Sequence, residues 1–154
     1  MDLIHWRHAE AEDEHEGLPD LQRALTPRGE KQAARVAAWL DRHLPDGTRI
    51  VSSPAVRCEQ TVQALGRKYK VRDSLAQGVV TVADMLEAAQ WPHARHPVML
   101  VGHQPVIGQT LAQLLRIEGG SIPVRKGGVW WLRTRERDGA EQTVVWAVQS
   151  PETT

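Results

Sequence analysis

The chain has 154 residues, 41% of them hydrophobic and 25% charged, ordinary values for a soluble globular protein. A domain of this size buries about 70% of its unfolded surface, so residues 1–154 are expected to form a single domain with an unaided core. Lys plus Arg and Asp plus Glu both number 19, so no global field favours nucleic acid or an anionic membrane. The one cysteine, Cys58, excludes an internal disulfide framework and any cysteine-rich zinc site. The start, Met1-Asp2-Leu3-Ile4-His5-Trp6, has no basic region followed by a long apolar stretch, and no run approaches the roughly 18 apolar residues of a membrane helix. The expected location is the cytoplasm.

In chain order, Leu3 to Trp6 reads as a short strand. Five carboxylates between Glu10 and Glu16 follow, a solvated loop that Gly17 and Pro19 suit. Thr26-Pro27 is a helix N-cap with proline at the first helical position. Ala33, Val36, Ala37, Leu40 and Leu44 then form an apolar stripe at helical spacing, up to Pro45-Asp46-Gly47. Arg49 to Ser52 is a second strand. Ser53-Pro54 opens a helix striped by Cys58, Val62, Leu65 and Tyr69, and a third strand starts near Val71. A helix over Ala83 to Gln90 closes at Trp91-Pro92. Val98 to Val101 lacks polar alternation, as a strand buried on both faces does, and Ile107, Leu111, Leu114 and Leu115 mark another helix. Val129 to Arg135 and Thr143 to Val148 flank Asp138-Gly139, a strong hairpin signal. Alternating strands and helices, then a hairpin, predict an α/β fold: a mostly parallel mixed sheet covered by helices.

In such sheets ligands bind outside the carboxyl ends of the strands. Arg7 and His8 follow the first strand, Ser53-Pro54 and Arg57 the second, and Gly102 and His103 the buried fourth. Two arginines and two histidines thus converge on one edge. Arginine forks match phosphate oxygens, and one charge pair at about 4 Å is worth about 4 kcal/mol at an effective dielectric of about 20. A neutral imidazole can attack phosphorus, and adjacent arginines are expected to keep His8 unprotonated. With no metal invoked, cationic side chains carry the stabilisation of the transferring group.

The residues on which these expectations rest also resemble a known family. Leu3-Ile4-His5-Trp6-Arg7-His8-Ala9 is similar to the Arg-His-Gly strand end of the histidine phosphatase, or phosphoglycerate-mutase-like, superfamily. Leu25 to Ala33 resembles its Leu-Thr-x-x-Gly-x-x-Gln-Ala helix start. Ser52 to Thr61 resembles its Ser-Pro-x-x-Arg-Ala-x-Gln-Thr motif, and Val101 to Pro105 its second histidine motif. The order holds through about residue 115, and the short uncapped chain is most similar to the SixA-type phosphohistidine phosphatases. The resemblance implies a three-layer α/β/α fold with no cap domain, no metal and no cofactor. It makes His8 the phospho-acceptor, with Arg7, Arg57 and His103 binding the phosphoryl oxygens.

Two departures carry consequences. Ala9 replaces a glycine, which would permit a positive φ or close approach. Gln77 stands where relatives acting on phosphate esters have a glutamate general acid, with Asp73 and Asp84 the carboxylates that could substitute. An alkoxide leaving group wants a proton donor, whereas the imidazole of phosphohistidine needs less help. The expected function is therefore a phosphatase acting on phosphohistidine of a partner protein, such as a histidine-phosphotransfer domain. A small-molecule phosphomonoesterase and a non-catalytic phosphate-binding adaptor are the alternatives. Neither nucleic acid nor membrane is an expected partner.

The remaining candidates read as structure. Cys58 lacks the Cys-x5-Arg loop of tyrosine phosphatases, since the sixth residue after it is Ala64, and it lies on an apolar stripe. His93 and His96, flanked by Pro92 and Pro97, lack a third metal ligand. Trp130 and Trp131 point to opposite faces of a strand, one to the core and one to solvent or the terminal segment.

Overall fold

The computed structural model describes residues 1–154. The six strands are β1 (Asp2–Arg7), β2 (Arg49–Ser52), β3 (Lys70–Val71), β4 (Val98–Gly102), β5 (Val129–Arg137) and β6 (Ala140–Gln149). The four helices are α1 (Pro27–His43), α2 (Val56–Gln63), α3 (Val82–Ala89) and α4 (Val106–Leu114). One sheet runs β3-β2-β4-β1-β5-β6, parallel from β3 to β1 and antiparallel thereafter.

Alternation along the strands divides the core in two. Ile4, Ile50, Met99 and Val101 point to one face, where Val36, Leu40, Cys58 and Val62 of α1 and α2 cover them. Leu3, Val51 and Leu100 point to the other, against Met85 and Ala88 of α3 and Ile107 and Leu111 of α4. Strand β4 is buried along its whole length, which its lack of polar residues requires. The architecture is therefore three-layered, α/β/α, with no cap domain. No helix is long and apolar enough to cross a membrane.

Local chemistry fixes the element ends. The Thr26 hydroxyl accepts from Gly29 N at 2.9 Å, with Pro27 opening α1. Thr81 and Asp84 form a reciprocal capping box that starts α3, a pairing the sequence reading did not use. Asp138 and Gly139 take φ of 53° and 77°, the left-handed pair a two-residue hairpin turn needs.

One expectation is revised. Helix α2 begins at Val56 rather than Ser53 and stops at Gln63, because the chain turns through Gly66 at φ 71°. Leu65 and Tyr69 still pack on the α1–α2 core, but from the connecting loop. The third strand is only two exposed residues long. Trp131 is buried and meets Trp39 edge-on at 6.3 Å, while Trp130 lies on the opposite face, partly covered, in a cleft shared with Ser150 and Thr153.

Candidate active site

The carboxyl ends of β1, β2 and β4 are adjacent in the sheet, so the residues that follow them meet. His8 is held by backbone on both sides: its N–H donates to Gly102 O at 3.1 Å and its carbonyl accepts from Gly127 N at 3.0 Å. The residue is 8% exposed. Its Nδ1 lies 2.7 Å from Ala9 O, an acceptor only, so Nδ1 carries the proton and Nε2 keeps its lone pair. Burial is the main cause lowering its pKa to about 4; the bond to Ala9 O opposes this, and Arg57, Arg7 and Arg23 add to it. The sequence suggested the arginines as the cause, but the protein's low-dielectric surroundings contribute more. At neutral pH the imidazole is uncharged.

Ala9 is fully buried with φ outside the left-handed region. Its N–H donates to Thr61 Oγ1 at 3.0 Å, and Thr61 in turn donates to Arg57 O at 2.7 Å. The backbone here needs no glycine, so the departure from the family pattern is accommodated. Thr61 therefore ties the His8 segment to the helix that carries Arg57.

Arg57 and His103 are each 1% exposed. Arg57 Nη2 approaches His103 Nδ1 at 3.3 Å, and because a guanidinium only donates, that nitrogen is the acceptor. The His103 proton then sits on Nε2, facing Ser53 Oγ at 2.7 Å. Its pKa falls to about 3, through burial first, then Arg57 and His8. The His8 and His103 ring centroids are 5.5 Å apart. Both His103 nitrogens are engaged, so contact with an incoming anion requires one of these bonds to exchange. Arg7 Nη1 donates to Val124 O at 2.7 Å; the Nε atoms of Arg7 and Arg57 are buried without partners.

Sequence reasoning missed two members of this site. Asp20 reaches Arg57 twice, its carbonyl accepting from Nη1 at 2.8 Å and its Oδ2 from Nη2 at 3.1 Å. Asp20 Oδ1 accepts from Arg23 Nε at 3.1 Å and Nη2 at 2.9 Å. Burial raises the Asp20 pKa, but the bonds from Arg23 and Arg57 outweigh it and keep the carboxyl below its usual range. The local signal was an Asp-x-x-Arg spacing just past the acidic loop Glu10 to Glu16.

Gln77 is exposed and donates weakly to Gln104 O at 3.4 Å, next to His103. Asp84 is occupied in its capping box, and Asp73 is exposed in a one-turn 3-10 helix. Cys58 is buried, with its thiol pushed up to about 12 by burial, so it is no nucleophile.

A bare imidazole nitrogen beside guanidinium groups suits attack on an electrophile that carries anionic oxygens. The family model described as histidine phosphatase superfamily (branch 1) matches residues 3–78, which include Arg7, His8 and Arg57. Together with the structures below, this match supports membership of the histidine phosphatase superfamily. A candidate phosphohistidine phosphatase SixA from Nakamurella multipartitia is similar at 28% identity and a TM-score of 0.76, covering 97% of this chain and 95% of that one. A second candidate SixA, from Agrobacterium tumefaciens, is similar at 25% identity and a TM-score of 0.80, with 97% of each chain covered. A phosphoserine phosphatase from Entamoeba histolytica shares the fold at 18% identity and a TM-score of 0.69, covering 97% of this chain and 96% of that one. The chain thus has SixA-like architecture.

Proposed function

We propose that this phosphatase removes the phosphoryl group from phosphohistidine on a partner protein, with His8 as nucleophile and no metal required. The observation that carries the reading is the His8 ring. Its Nδ1–H is committed to Ala9 O, which leaves Nε2 as a free lone pair in the field of the buried Arg57 and the half-buried Arg7 and Arg23. In the first step the Nε2–P bond forms as the substrate's P–N bond breaks, and the leaving imidazole takes a proton from solvent. In the second, water attacks phosphorus, the Nε2–P bond breaks, and inorganic phosphate leaves as His8 recovers its lone pair. Arg7 and Arg57 compensate the phosphoryl oxygens in both steps, and His103 joins them by exchanging a bond.

The substrate class follows from the missing acid. Gln77 cannot donate as a carboxylic acid does, and Asp20 is held ionised by two arginines. An alkoxide leaving group would go unprotonated, whereas imidazole leaves without that help. The uncapped site and the likeness to candidate SixA proteins support a substrate presented by another protein, for which a histidine-phosphotransfer domain is a fitting shape. Cytoplasmic location suits such a partner.

The test is phosphate release from a phosphohistidine-bearing protein and from an alkyl phosphate, by wild type and His8→Ala, with and without chelator. Release from the first substrate alone, indifferent to chelator and lost in His8→Ala, is expected. Faster turnover of the alkyl phosphate would replace the reading with a small-molecule phosphomonoesterase. Tight phosphoprotein binding without release would replace it with a binding adaptor.

A further inference from the structure

The guanidinium of Arg57 is almost wholly buried, and a buried charge is costly unless an anion faces it. Before substrate arrives, the phosphoryl group cannot supply that anion. The structure supplies Asp20, which lies 37 residues earlier, in the loop between β1 and α1. The two make a carbonyl contact at 2.8 Å and a carboxylate contact at 3.1 Å. The other carboxylate oxygen holds Arg23, whose charge also reaches His8.

We propose that Asp20 is the positioning residue of the site, a carboxylate bridge that locks the Arg57 and Arg23 side chains in the attitude that receives the phosphoryl group. The inference rests on the phosphatase reading above but concerns a residue which that reading does not use. Asp20 and His103 together take three of the five N–H donors of Arg57. The Nε–H, buried and without an acceptor, is among those left for an incoming anion. The charge also balances. Arg7, Arg23 and Arg57 less one carboxylate leave two positive charges, the complement of a phosphoryl group of charge near −2.

The bridge needs two acceptor oxygens on one side chain. Asparagine has a single acceptor, so in either amide orientation an N–H of Asp20→Asn meets an N–H of one arginine. Asp20→Glu keeps both acceptors and the charge. Asp20 itself sits on a one-turn surface helix, 35% exposed, so Asp20→Glu is expected to keep the wild-type unfolding temperature, while Asp20→Asn, which leaves the buried Arg57 charge without its carboxylate, unfolds several degrees lower yet stays folded at the assay temperature.

The experiment measures kcat and KM on a phosphohistidine-bearing protein for wild type, Asp20→Asn and Asp20→Glu, with thermal unfolding alongside. Expected is a fall in kcat of about 10-fold to about 100-fold for Asp20→Asn, KM little changed, with most of the loss recovered in Asp20→Glu. Wild-type kcat in Asp20→Asn, an equal loss in Asp20→Glu, or a loss matched by unfolding would overturn the positioning role. His8→Ala separates the two levels. Release surviving that change defeats the phosphatase reading itself, whereas an inactive His8→Ala beside an unaffected Asp20→Asn defeats only this inference.

Discussion

The two halves of the sheet treat their residues differently. On the parallel side, β1, β2 and β4 end in the side chains of the site, nearly all of them buried: His8, Arg57, His103 and Ser53. On the antiparallel side, the far halves of β5 and β6 are exposed, and Val145, Trp146 and Val148 face solvent. The hairpin reaches the site only through backbone at its entrance. Gly128 O accepts from Arg7 N at 2.9 Å, Gly127 N donates to His8 O, and Gly127 O accepts from the Trp6 indole at 3.1 Å. Parallel strand ends thus place side chains, while the hairpin supplies cover and main-chain support. Changes on the first side should act on rate, and changes to outer hairpin side chains should act weakly and on stability alone.

The largest expected effect is at Arg57. A lysine has one point charge where the fork now serves the Asp20 carbonyl, the Asp20 carboxylate and His103 Nδ1 together. Arg57→Lys is expected to lower kcat/KM by about 10²- to 10³-fold in steady-state assays while the chain still folds. A loss below tenfold would mean that fork geometry is dispensable, and the contrast between the halves would weaken at its strongest point.

Gly29 tests how tightly α1 is joined to the site. A Cβ there would overlap the Glu10 carbonyl, which also accepts from Thr26 N at 3.0 Å. Glu10 follows Ala9, whose own carbonyl sets the His8 tautomer. Gly29→Ala is expected to cost about 1–3 kcal/mol in denaturant unfolding and to lower kcat as well. A stable variant with unchanged kcat would show that the His8 loop tolerates displacement.

Much of this arrangement was legible in the chain, because it depends on local order. Strand ends could be counted, Thr26-Pro27 announced α1, and Asp138-Gly139 announced the hairpin. What escaped depends on tertiary approach. Leu65 and Tyr69 keep helical spacing after the helix has ended, since burial on the same core needs no helix. Asp20 meets Arg57 only because the loop folds back, which no spacing of carboxylates reveals. Charges near His8 could be read from the sequence, whereas the desolvation that dominates its pKa could not.

A moderate effect is expected at His5, buried on the α3–α4 face of β1 with neither ring nitrogen partnered. Burial lowers its pKa to about 4. The unfolded chain, near 6.5, therefore takes up protons first as pH falls. Its contribution to stability is full above about pH 6.5 and is lost as pH drops towards 4, on the order of 2–3 kcal/mol by pH 4.5. His8 and His103, also lowered, add to the same slope. Denaturant unfolding at pH 7 and pH 4.5 should show the fall, and His5→Leu should make it shallower. An unchanged slope in His5→Leu would mean that this ring can be protonated in place.

The smallest expected effect is at Trp146. It falls at the irregularity in the β5–β6 pairing, where Leu132 opposes Val145 and Trp131 opposes Ala147, and it is 56% exposed. The Arg133 guanidinium lies 3.7 Å from its ring centroid, yet Arg133 is held independently by Asp2, at 2.7 and 2.9 Å. Removing the ring therefore takes away a cation–π contact without freeing the arginine or touching the entrance backbone of the hairpin. Trp146→Ala is expected to cost about 0.5–1 kcal/mol and leave kcat at the wild-type value. If kcat moved with it, outer hairpin side chains would be coupled to His8, through Arg133, Asp2 and β1, and the division between a side that places chemistry and a side that covers it would fail there.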